Sequence, residues 1–82
     1  MATPLAMAIA RRVSELADER GMSIKDLAAL CSISQPRLRR RLTGAVSFNL
    51  TEIAGVLDVL CAGEPSDLLM YVEAKHPELL GR

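Results

Sequence analysis

SIKDLAALCSISQPRLRRRLTG, residues 23–44, reads as two short helices with a break between them. Ser23 followed three residues later by Asp26 is similar to a capping box with Asp in place of Glu, so a helix is expected to start there. Leu27, Ala28, Leu30 and Cys31 then supply an apolar side at helical spacing, which predicts a helix over about 24–31. CSIS interrupts the pattern. Ser34 can cap a second start, and Pro36 is tolerated because a first turn has no intrahelical amide bonds to lose. That second helix is expected over about 35–42, ended by Thr43 and Gly44.

The second helix places four arginines in the five positions 37–41. None of Arg37, Arg39, Arg40 and Arg41 has an acid three or four residues away, so on a helix like charge meets like. Arg37 also falls in the first turn, where the helix dipole disfavours a cation. A run of charge is ordinarily a solvated face. The missing acids point instead to an anion outside the chain, and carboxylates of the chain itself closing on this ridge would remove that argument. With Leu38 and Leu42 facing a core, steps of about 100° per residue put Pro36, Arg40 and Thr43 on the far side. Arg37 and Arg39 fall on the flanks, and Gln35 and Arg41 nearer the packed edge.

Eighty-two residues make one small domain, able to bury only about 60% of the surface of its unfolded chain. Half the residues are apolar, yet Phe48 and Tyr71 are the sole aromatics, so the core must be built of aliphatic side chains. That composition favours packed helices over a sheet. Thr3-Pro4 opens a first helix over about 4–20, with Leu5, Ile9, Val13, Leu16 and Ala17 on one side and a stop at Gly21. Asn49 can cap a fourth helix in which Leu50, Ile53, Ala54, Leu57 and Leu60 share a face. AGEPS separates it from a fifth over about 66–75, closed before Pro77. The expected architecture is all-α, five helices in one domain over 1–82, with 64–82 as a C-terminal helix and tail.

The formal charge is zero, but residues 1–44 hold eight Lys or Arg against four Asp or Glu, and residues 45–82 hold two against six. Such segregation suits a molecule with one face made for an anion and another turned away from it. The run LAMAIA is too short for a signal sequence, and no stretch has the roughly 20 apolar residues that a bilayer demands. A cytoplasmic protein with no membrane partner is expected, with Cys31 and Cys61 as reduced thiols. Their spacing, with His76 as the sole possible companion, offers no metal site, and no cofactor or small-molecule substrate is expected. Without convergent carboxylates or an activated nucleophile the chain gives an enzyme nothing to work with. Cys31 reads as a structural thiol and His76 as a surface group near a helix end. Glu15 lies within reach of both Arg11 and Arg12, which therefore read equally well as a solvated face or as a contact to a phosphate backbone.

Two short helices joined by a tight turn, the second rich in cations, have the layout of a helix-turn-helix. Residues 23–44 together with IAGVLDV resemble the lambda-repressor-like (Cro/C1, or XRE) family, and the resemblance covers about residues 9–69. It implies a compact five-helix bundle that docks its third helix in the major groove of double-stranded DNA. Ser32 stands where the family usually has Gly, Ile24 where many members carry a phosphate-bracing Gln, and Arg41 at a position often apolar. Arg can bond guanine and Gln adenine bidentately, so Gln35 and Arg40, with Arg37 or Arg39 beside them, are the expected base readers. Arg41 and Thr43 are expected on the DNA backbone. Ser23, Lys25 and Ser34, at the positive ends of helices 2 and 3, are expected there too.

In the tail, Leu68, Leu69, Met70, Tyr71 and Val72 are consecutive apolar residues, too many for one side of a helix. Leu69, Met70, Tyr71 and Val72 are therefore expected to bury part of their surface against a second copy, the alternative being that Met70 or Tyr71 packs on the first helix, with Leu79 and Leu80 either extending that surface or disordered. The resulting expectation is a dimeric repressor or Cro-like regulator on a palindromic operator, with phage or prophage origin suggested by the resemblance. The alternative is an antitoxin-type module whose apolar tail neutralises a partner protein and whose helix-turn-helix regulates its own operon.

Overall fold

The structure, a computed structural model, describes residues 3–79. Its element order is α1 (Pro4–Glu19), α2 (Ile24–Cys31), α3 (Gln35–Leu42), α4 (Leu50–Leu60), α5 (Pro65–Lys75) and a 3-10 turn (Pro77–Leu79), with no strand among the described residues. All five expected helices form: α2 and α3 have the expected ends, α1 and α5 lie within a residue of theirs, and α4 starts directly after its expected cap, Asn49. Leu80 lies outside the described residues.

The starts follow from side chains that satisfy orphan amides. Thr3 accepts from the Ala6 amide at 3.0 Å, Ser23 from Asp26 at 3.1 Å and Ser34 from Arg37 at 3.3 Å. Of the reciprocal pair expected at Ser23 only this half is made. The complete version stands at α4, where the Glu52 amide donates to Asn49 Oδ1 at 2.7 Å and the Asn49 amide donates back to Glu52 Oε1 at 3.0 Å.

The ends of α1, α2 and α4 share one device. The amides of Met22, Ile33 and Ala62 reach back to the carbonyls of Ala17, Ala28 and Leu57 at 2.9, 3.0 and 2.9 Å. Each bond needs a left-handed residue just before its donor. Gly21 adopts that conformation at φ 64°, and Ser32 and Cys61 adopt it at 59° and 53° despite their side chains.

α3 packs against α1 and α2, while α5 packs against α1 and α4. The core is aliphatic: Val13, Leu27, Leu38, Val56, Leu57, Leu60 and Val72 are its largest fully buried side chains. The described face of α4 differs from the expected one, because Val56 joins Leu57 and Leu60 inside while Leu50 is 70% exposed. Two further contacts fix α1 to its neighbours. The Arg20 Nε donates to the Leu60 carbonyl at the end of α4, where the helix dipole welcomes a cation. At the end of α3, Gly44 lies so near α1 that a Cβ there would stand 2.8 Å from Met7 Cγ.

Candidate nucleic-acid interface

α3 is anchored by a single fully buried residue, Leu38, with Leu42 half-buried beside it. Gln35, Pro36, Arg37, Arg39 and Arg40 are exposed, as is Thr43 beyond the last turn. Pro36, Arg40 and Thr43 thus lie on the far side and Arg41 at the packed edge as expected, whereas Gln35, expected nearer that edge, is exposed.

The charge of the helix is not wholly uncompensated, which corrects the sequence reading. Glu52 of α4 takes Arg41 Nε on Oε1 at 3.0 Å and Arg41 Nη2 on Oε2 at 3.3 Å. Its Oε2 also accepts from Arg37 Nε and pairs with Arg37 Nη2, both at 3.2 Å. The Glu52 side chain is 8% exposed and the Arg41 side chain 12%, whereas that of Arg37 remains 55% exposed. Burial alone would raise the pKa of the Glu52 carboxyl. The Arg41 hydrogen bond, the Asn49 amide and the charges of Arg41 and Arg37 together outweigh burial and hold it below its ordinary value. Arg41, expected on the DNA backbone, is thus committed inside the protein. Arg37, expected among the base readers, has its Nε/Nη2 edge occupied.

Arg39 and Arg40 make no ion pair among the described residues. With Gln35 they form the open part of the surface. Lys25 is exposed and likewise unpaired among the described residues. The Ser23 and Ser34 hydroxyls accept at the helix starts, which leaves each O–H to donate outward. Thr43 differs, for its hydroxyl donates to the Arg40 carbonyl at 3.1 Å.

The Cys31 thiol is half-buried and its pKa is raised by burial, so it stays protonated at neutral pH. Among the described residues no group of His, Cys, Asp and Glu could hold a metal ion, and no helix is long and apolar enough to cross a membrane. Arg12 pairs with Glu15 and Glu19 at 3.4 and 3.7 Å and lies 3.8 Å from the centroid of the Tyr71 ring. It is an internal contact between α1 and α5, whereas Arg11 is exposed.

The tail also needs correction. Val72 is 1% exposed and belongs to the core, as does Leu68 at 5%, so neither is free for a second chain. Tyr71 is half-buried beneath Arg12 of α1, the packing on the first helix that stood as the alternative. Leu69 and Met70 are open at 41% and 65%. Leu69 shares a shallow apolar groove with Ile9, Leu50, Ile53, Pro65 and Leu68, so the exposed apolar surface draws on α1 and α4 as well as α5. Leu50 was legible as a candidate for this surface only from its place at the first position of α4, ahead of the buried turns.

A profile of the Cro/C1-type HTH DNA-binding domain matches residues 12–74. The fold is also similar to the crystal structure of the clp gene regulator ClgR from Corynebacterium glutamicum. That match has a TM-score of 0.82 at 18% sequence identity and covers 98% of this chain and 84% of that one. Among curated proteins no significant match is found.

Proposed function

Because the chain belongs to the Cro/C1-type HTH DNA-binding domain family, we propose that it is a sequence-specific transcriptional regulator that reads the major groove of double-stranded DNA with α3. The observation that carries this reading is the exposed, unpaired Arg39 and Arg40 beside Gln35 on a helix seated through Leu38. Arg40, farthest from the core, is assigned to a guanine, Gln35 to an adenine, and Arg39 to a neighbouring base or phosphate. Lys25 and the hydroxyls of Ser23 and Ser34 hold phosphates at the two helix starts. Arg37 offers only the outer edge of its guanidinium. Arg41 is reassigned from phosphate contact to bracing α3, and Thr43 to closing its end.

A bound palindrome requires two copies, with their third helices about 34–36 Å apart. The apolar surface around Leu50 and Leu69 supports a homodimer formed through α4 and α5, and repression then follows from occluding polymerase. The same surface favours the antitoxin-type reading if it takes an unrelated protein; that reading predicts a monomer that stays soluble only when co-expressed with its partner.

Selection of bound duplexes from a random pool at two salt concentrations tests the proposal. A two-fold symmetric consensus that persists at the higher salt is expected. Salt-sensitive binding with no consensus would leave electrostatic adhesion alone and overturn the reading.

A further inference from the structure

We infer that Glu52 is a specificity-determining positioning residue: it withdraws Arg41 from the DNA and fixes Arg37 in one pose, so that Gln35, Arg39 and Arg40 do the reading. The inference rests on the proposed DNA-binding function and concerns how α3's charge is divided.

The division follows from how the carboxylate is held. Oε1 accepts from the Asn49 amide at 3.0 Å as well as from Arg41 Nε, so the group is pinned to the start of α4 and cannot follow an arginine outward. An approaching phosphate could capture Arg41 only by leaving that carboxylate buried with less compensation, which is a heavily disfavoured exchange. Arg41 therefore stays. Arg37 is different, because its side chain is 55% exposed while Nε and Nη2 face Oε2. Its Nη1 side is available to DNA without breaking either contact. Two guanidiniums over one carboxylate leave a net charge of about +1 at this end of α3, in place of two mobile cations. An unrestrained arginine binds any phosphate in reach, and on random DNA the protein is free to shift until one is in reach, whereas base contacts hold it in a single register on the operator. Glu52 suppresses that background and thereby widens the gap between the operator and random DNA.

Glu52→Gln keeps the shape and removes the charge. With wild-type protein as reference, binding is measured to the selected consensus and to a scrambled duplex across a salt series. The variant is expected to bind scrambled DNA at least tenfold more tightly at low salt. Its log K against log salt should steepen by about 1–2, near 0.9 per added phosphate contact. Glu52→Asp, which retains the charge, should restore the wild-type slope. A folded Glu52→Gln protein with unchanged slope and unchanged discrimination would overturn the inference while leaving the DNA-binding function standing. If wild type shows no consensus, both fall together.

Should Glu52→Gln not fold, the arginine Nε–H resonances of wild type decide. The Arg41 signal is expected to stay in place when scrambled duplex is added, while those of Arg39 and Arg40 move. An Arg41 signal that shifts as far as that of Arg40 would overturn the inference.

Discussion

Ser32 holds a left-handed conformation at φ 59° so that the Ile33 amide can bond the Ala28 carbonyl and turn the chain toward α3. A residue with a Cβ is disfavoured there by about 1–2 kcal/mol, partly offset by the greater unfolded-state entropy of Gly. Ser32→Gly is therefore expected to stabilise the protein by about 0.5–1 kcal/mol in urea denaturation, with DNA binding unchanged. Glu52 supplies a second expectation at this scale. Its folded pKa is depressed, so its contribution is fully present above the unfolded glutamate value of about 4.3 and is lost as pH falls through the folded value. Stability of wild type should decline below about pH 4.3 more steeply than that of Glu52→Gln, measured by urea melts over pH 3–7.

The Glu52 pairing escaped the sequence reading because neighbours at three and four residues describe one helix only. Arg41 and Glu52 are eleven residues apart across a turn. The available signal was Asn49-x-x-Glu52, a capping pair whose acid sits beside the buried positions of α4.

At the scale of elements, α3 is placed by a close approach at its end as much as by its apolar face. Gly44 has φ 81°, and a Cβ there would meet Met7 at 2.8 Å from Cγ and 3.1 Å from Cα. Gly44→Ala is expected to cost about 1–3 kcal/mol and to weaken operator binding by tilting α3, as read by thermal melts together with DNA titration. The helix boundaries were legible because Thr3, Ser23, Ser34 and Asn49 cap them by local chemistry. The face of α4 was less so, since Leu50 fits the apolar pattern yet stands in the first turn, where the helix has not reached the core. The five apolar residues of α5 were correctly too many for one face, but spacing alone did not sort Leu68 and Val72 inward from Leu69 and Met70 outward.

For the whole molecule, the exposed apolar surface and the basic helix ask for different partners. Leu50→Glu replaces a 70% exposed residue at a helix start that tolerates an acid, so the monomer fold should change by no more than about 0.5 kcal/mol. Sedimentation velocity is expected to show wild type as a dimer and this variant as a monomer. Dimers of undiminished affinity would move the self-association surface elsewhere.

On the operator α3 is expected to lie in the major groove with Arg40 on a guanine. Dimethyl sulfate tests it on the selected operator, since it methylates guanine N7 in the major groove and adenine N3 in the minor groove. Wild type should protect guanine N7 in each half-site, and Arg40→Ala should lose protection at one guanine per half-site while the duplex stays bound. Guanines left fully reactive under bound protein, with protection confined to adenine N3, would contradict the account.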